Sequence, residues 1–200
     1  MMKRICVYCG SSVGSQPEYA EAARALGSAM VKRGIGLVYG GGNIGIMNVV
    51  ARRLLEGGGE VIGVIPKDLL DRGLALKEVT EMRVVETMHV RKAMMAELAD
   101  GFIALPGGLG TFEELFEIWT WAQLGIHAKP CGLLNTCGYF DHLVRFIDHA
   151  VEQRFVEPVN RDLLLVDTVP GTLLDRLHAY KPPAVDKARR AERAADRLEA

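Results

Sequence analysis

Two hundred residues, about half of them apolar, suffice for one domain with a full core. A net charge of −1 leaves no electrostatic footprint for nucleic acid or an anionic membrane surface, and no apolar run reaches the roughly 18 to 20 residues that span a bilayer. Met1-Met-Lys-Arg-Ile-Cys6 passes straight into a strand pattern with no signal-peptide core, so a cytoplasmic protein is expected.

Arg4 to Cys9 reads as a first strand, closed by the small polar turn Gly10-Ser11-Ser12. Ser15 and Glu18 have the spacing of a capping box with Pro17 in the first turn, and Tyr19, Ala22, Ala23, Leu26 and Met30 share one face of the helix that follows. Gly34 stops it. Ile35 to Tyr39 is a second strand, leading through Gly40-Gly41-Gly42-Asn43-Ile44-Gly45 into a helix from Ile46 to Leu55, which Gly57-Gly58-Gly59 ends. A third strand runs from Val61 to Ile65. Lys67 to Glu81 has no clean period and fits either a loop over a site or an ordinary connection.

Met82 to Val85 is a short strand, and Thr87 can cap a helix with Val90, Met94 and Leu98 on one side. The next strand, from Phe102, stops at Pro106 and enters Gly107-Gly108-Leu109-Gly110, with a helix opening at Thr111. That helix, Phe112 to Leu124, is apolar almost all round, which places it in a thick core or against a second subunit. Pro130 to Leu134 is a strand, Tyr139 to Gln153 a helix, Leu163 to Val166 a strand and Gly171 to Leu177 a helix. The charged segment 181–200 reads as a solvated or frayed tail beyond a single domain over residues 1–180. Strands alternating with helices predict an α/β fold, a doubly wound parallel sheet flanked by helices on both faces.

On such sheets ligands bind beyond the carboxyl ends of the strands. The glycine turns at Gly10, at Gly40 to Gly45 and at Gly107 to Gly110 therefore share one rim. A glycine-rich turn into a helix N-terminus turns bare N–H groups on an anion, and the helix dipole adds roughly half a positive charge. The Gly107 turn has no Walker lysine and is not G-x-G-x-x-G. It has Glu114 one turn further on, which suits chemistry at the sugar end of a nucleotide rather than phosphoryl transfer. A second reading stays open, because Thr111 and Glu114 also have capping-box spacing. Arg91 and Lys92 read from spacing alone as a solvated helix face, Glu113 and Glu117 as surface residues, and His89 carries no assignable role. Cys6 and Cys9 are formally C-x-x-C, but strand positions three apart point to opposite faces. With Cys131 and Cys137 they read as buried, reduced thiols rather than a metal or redox site.

Met88-His-Val-Arg91-Lys92 followed by Pro106-Gly-Gly-Leu-Gly-Thr-Phe-Glu-Glu114 resembles the paired signature of the Lonely Guy (LOG) family, M-H-x-R-K and P-G-G-x-G-T-x-x-E, without a gap. Cys9-Gly-Ser-Ser12, Tyr39-Gly-Gly-Gly42 and Thr120-Trp-Ala-Gln-Leu-Gly125 extend the likeness from Lys3 to Leu177. The resemblance implies a Rossmann-like, commonly dimeric hydrolase without a cofactor or metal. Its substrates would be cytokinin riboside 5′-monophosphates, cleaved to free base and ribose 5-phosphate, or AMP as in some bacterial members. Arg91 and Glu114 then correspond to the catalytic pair. Lys92, Glu113 and the run Gly107, Gly108, Leu109, Gly110 and Thr111 fall in the nucleotide-binding segments, and Gly10, Ser11 and Met88 line the same pocket. Asn48 stands where a glycine is usual, and Gly73 where many members carry a glutamate that contacts substrate. An older description of such proteins as lysine decarboxylases finds no support, since no lysine sits in a recognisable Schiff-base motif. A non-catalytic nucleotide carrier and a purely structural partner are the competing classes.

Overall fold

Ile5, Val7 and Cys9 pack into one apolar cluster, and Cys6 and Tyr8, which alternate with them, into another. A strand whose two faces are both buried reads as a continuous apolar run, and that requires a sheet covered on each side. The computed structural model describes residues 2–183 and contains such a sheet. Seven parallel strands form it: β1 (Arg4–Tyr8), β2 (Gly36–Tyr39), β3 (Val61–Pro66), β4 (Glu81–Val85), β5 (Gly101–Ala104), β6 (Cys131–Leu134) and β7 (Leu164–Asp167). Their order is β4-β3-β2-β1-β5-β6-β7, so the winding reverses between β1 and β5. The fold is the α/β, Rossmann-like one expected.

The helices are α1 (Pro17–Lys32), α2 (Gly45–Glu56), α3 (Lys67–Asp71), α4 (Met88–Leu98), α5 (Leu109–Leu124), α6 (Asp141–Glu152), α7 (Pro158–Arg161) and α8 (Pro170–Ala179). One face of the sheet is covered by α1 through Tyr19, Ala23, Leu26 and Met30, by α2 and by α8. The other is covered by α4, by α5 through Leu115, Ile118, Trp119 and Ala122, and by α6. Cys6 and Cys9 thus fall in different clusters, and opposite strand faces keep them apart.

Several local expectations need correction. The first strand ends at Tyr8, because Cys9 already belongs to the turn. Ser15 does not cap α1, for Gln16 holds that position without a side-chain bond. Lys67 to Glu81 is more ordered than its sequence implies. It forms α3 and then bonds to the second glycine turn, with Asn43 N donating to Leu74 O (2.9 Å) and Leu76 N to Gly41 O (2.9 Å). Helix α4 buries Lys92, Met95 and Ala96 and exposes Val90, because its apolar spacing is ambiguous and packing on the sheet sets its rotation. Helix α5 buries Leu115, Ile118, Trp119 and Ala122 in the core and turns Leu109, Phe116 and Leu124 outward, so the thick core covers one side of it only. Cys137 is exposed. Four-residue α7 is too short to show a period, yet the Asn160 carbonyl accepts the buried Trp119 indole N–H at 2.8 Å. The expected tail over 181–200 lies, beyond residue 183, outside the described residues.

Candidate active site

The three glycine turns meet at the carboxyl end of the sheet, at the point where the winding reverses. Gly10 N donates to Pro106 O (3.1 Å), which ties the β1 turn to the β5 turn, and Met47 N donates to Gly10 O (3.3 Å), which ties in the start of α2. The β1 and β5 turns touch backbone to backbone. A Cβ on Gly10 would lie 3.2 Å from the Gly107 Cα, and one on Gly107 would lie 2.7 Å from Gly10 N and run into the Thr111 hydroxyl. Any side chain at Gly107 would therefore push the turns apart.

Beyond this contact α5 opens. Gly108 occupies its cap position with no side-chain cap, and the first turn contains no acid. The amides of Leu109, Gly110 and Thr111 have no intrahelical acceptor, as in any first turn. Above Gly108 and Gly110 there is open space. Uncapped donors at the positive end of a sixteen-residue helix, in open space, are what an anionic group needs. Thr111 is buried within the first turn, and Ser11 is exposed on the adjoining one. The helix begins two residues before Thr111, so Thr111 is not its cap. That removes the capping-box reading of Glu114.

Arg91 reaches this rim from the start of α4, where Thr87 caps the helix by accepting the Val90 N–H at 3.2 Å. It is not the solvated residue that spacing alone predicts. Its Nε donates to Val64 O and its Nη2 to Gly40 O, each at 3.1 Å, so the guanidinium is anchored to a carbonyl within β3 and to one just past the end of β2. A Cβ on Gly40 would collide with that guanidinium. Met88, exposed on the same helix, brings its sulfur to Arg91 Nη1 at 3.1 Å.

Glu114 lies opposite, with Oε1 3.8 Å from Arg91 Nη1, and the two side chains are 13% and 11% exposed. At that distance they form an ion pair without a hydrogen bond. Burial pushes the Glu114 carboxyl up, Arg91 opposes the shift, and the group titrates at about 7. A carboxyl poised there can hold or release a proton at neutral pH. The cationic and acidic partners it needs are already in place.

Lys92 and Glu113 engage each other. The Lys92 ammonium, almost wholly buried, contacts Glu113 and lies 3.0 Å from Glu117. Burial lowers its pKa, but the two carboxylates outweigh this and hold it above the ordinary lysine value. A Schiff-base lysine needs the opposite, so the lysine at this rim does not fit a pyridoxal cofactor. Among the described residues no three His, Cys, Asp or Glu side chains gather so as to hold a metal ion.

Tyr139 escaped sequence reasoning. Its hydroxyl donates to the Gly107 carbonyl, while its ring meets the edges of Tyr19 (5.6 Å) and Phe140 (4.9 Å). The available signal was a tyrosine just past the end of a predicted strand, on the same rim as the glycine turns. The two sequence departures have local accounts. Asn48 Oδ1 accepts from Arg52 Nε (2.9 Å), and Gly73, at φ +73°, accepts from Asn43 Nδ2 through its carbonyl.

Residues 47–177 match the family described as possible lysine decarboxylase. A probable cytokinin riboside 5′-monophosphate phosphoribohydrolase of Oryza sativa subsp. japonica, LOGL6, is 52% identical over 90% of this chain and 72% of its own length. The Arabidopsis thaliana cytokinin riboside 5′-monophosphate phosphoribohydrolase LOG3 is 52% identical over 90% of this chain and 84% of its own. Among solved structures, a molybdenum cofactor binding protein from Rippkaea orientalis superposes with a TM-score of 0.67 at 18% identity, covering 90% of this chain and 97% of that one. The molybdenum cofactor carrier protein of Chlamydomonas reinhardtii gives 0.66 at 22%, covering 90% and 100%. At such identities these two show the shared fold alone. The two plant relatives share about half of their aligned residues with a sequence that also matches the family model over most of its length, and the chain belongs to the LOG family.

Proposed function

We propose that this protein is an N-glycosyl hydrolase that cleaves nucleoside 5′-monophosphates of the adenosine type, N6-modified or plain, into free base and ribose 5-phosphate. The observation that carries the reading is the Arg91–Glu114 pair, buried and 3.8 Å apart, beside an uncapped glycine-rich helix start. Relatives about 52% identical bear the name phosphoribohydrolase, which supports the same reaction class here.

In this mechanism the amides from Gly108 to Thr111 hold the 5′-phosphate, with Gly10, Ser11 and Met88 lining the pocket. Phosphate binding, remote from the reacting bond, orients the ribose. As the C–N bond lengthens, the ribose takes on oxocarbenium character. The Glu114 carboxylate stabilises that positive charge and orients the attacking water, which supplies hydroxyl to the anomeric carbon and a proton that ends on the departing base. Arg91 steadies the anionic partner of the step, phosphate or leaving base.

Incubating the purified protein with AMP and with an N6-prenylated AMP tests this directly. Release of base and ribose 5-phosphate from either one is expected, and their ratio of kcat/KM ranks the substrates. Binding of both without release would instead establish a non-catalytic carrier. Two further expectations belong to this reading. A homodimer would cover the apolar residues that α4 and α5 expose, Met88, Val90, Phe116 and Leu124. A cytoplasmic location suits a phosphorylated substrate, and no helix among the described residues is long and apolar enough to cross a membrane.

A further inference from the structure

Arg91 and Lys92 are neighbours on α4, and Glu113 and Glu114 are neighbours on α5, so the two helices face each other through two adjacent ion contacts. One is the loose Arg91–Glu114 pair. The other is tight: Lys92, 8% exposed, against Glu113 and, at 3.0 Å, Glu117. An ammonium has three donors, and two carboxylates already occupy it. A phosphate dianion seeking this ammonium would have to displace an acid or take the one remaining donor, and in either case sit beside a carboxylate, where like charges repel at short range.

We propose that Lys92, gripped by Glu113 and Glu117, is a positioning residue that fixes α4 against α5 and thereby sets the separation of Arg91 and Glu114, and that it does not bind the nucleotide phosphate. The inference rests on the reading of Arg91 and Glu114 as the working pair. Lys92 is the buried member of the contact, while Glu113 and Glu117 reach solvent, so losing the acids would leave a buried ammonium uncompensated, and the clamp holds the helices in one register. It also shapes the field at Glu114. The charged and titratable groups facing that carboxyl are Arg91 and Lys92 from α4, Glu113 and Glu117 from its own helix, Cys6 and Tyr8 from β1, and Cys9 from the turn that follows it. Removing the lysine charge leaves two acids opposing Glu114 ionisation, whereas removing Glu117 relieves one of them.

Lys92→Met and Glu117→Gln separate the two roles. Three quantities are read: kcat and KM on AMP, affinity for ribose 5-phosphate by calorimetry, and the Glu114 titration midpoint by carboxyl 13C NMR. For Lys92→Met, kcat should fall at least about tenfold through misplacement of the pair. Ribose 5-phosphate affinity should stay within about twofold, since no direct contact is lost. The Glu114 midpoint should rise in Lys92→Met and fall in Glu117→Gln, opposite directions that general loosening cannot produce. Lys92→Arg, which keeps the charge, should hold the parent midpoint and provides the readout if the methionine variant does not fold. A loss of ribose 5-phosphate affinity of about tenfold or more in Lys92→Met, as expected for a broken charged contact, would overturn the proposal. So would midpoints that move the same way in both variants. The NMR titration needs no turnover, so a parent protein that releases no base would refute the proposed hydrolase without deciding the clamp.

Discussion

Glu114 owes its burial and its ion partner to where α5 begins. Because the helix starts at Leu109, the carboxyl falls in the second turn, buried and facing Arg91 rather than bonded back to a cap. Its ionised form is the one that can stabilise a cationic ribose, so kcat/KM should drop about tenfold per pH unit below roughly 7. Glu114→Ala should lose at least about a hundredfold in kcat, the scale of a well-placed electrostatic group, with KM little changed. Retention of near-full turnover would falsify that role. The same burial has a stability consequence of definite sign. A carboxyl whose value is raised from an ordinary 4.5 to about 7 favours the folded state most below 4.5, and that contribution disappears as pH rises to about 7. Glu114→Gln cannot ionise, and Arg91 keeps its two carbonyl acceptors. The variant should therefore gain on the parent between pH 4.5 and 8, by at most roughly 3 kcal/mol, in paired urea melts.

At the scale of elements, the site depends on how two turns and one helix end are held. Tyr139 pins the Gly107 carbonyl from across the rim. Tyr139→Phe keeps the ring contacts and removes only this bond, so the glycine turn loses a tether worth about 1 kcal/mol. KM for a nucleotide should rise roughly fivefold, in line with that energy, while kcat is nearly kept. Gly107→Ala is harsher, because the added methyl meets Thr111 and the Gly10 amide. Thr87 matters at a distance, since its cap fixes the start of the helix that carries Arg91. Thr87→Ala should cost about 1 kcal/mol in thermal or urea unfolding.

For the whole molecule, the sheet order sets everything else. With β1 and β5 adjacent at the reversal of winding, their turns are left facing each other rather than being covered by a common connection. The helices on one side, α4 and α5, carry the Arg91–Glu114 pair and also expose Phe116 and Val90. If these residues pair with a second copy, light scattering should give twice the chain mass, and Phe116→Glu should shift it toward the monomer. A monomeric parent would refute the pairing.

The sequence by itself determined the seven strands to within a residue or two, their parallel arrangement and the common rim of the glycine turns. Apolar runs, glycine punctuation and strand–helix alternation are local signals of a chain whose sheet is buried on both faces. The two motifs also marked Arg91 and Glu114. Only tertiary structure decided what those residues face. The spacing that made Arg91 look solvated says nothing about the carbonyls of Val64 and Gly40. The capping-box spacing of Thr111 and Glu114 could not reveal that the helix had already begun. Lys92 joins Glu113 and Glu117, and Tyr139 joins Gly107, across more than twenty residues. Such contacts depend on which strands lie side by side and how each helix is rotated on the sheet, and no stretch of sequence contains either.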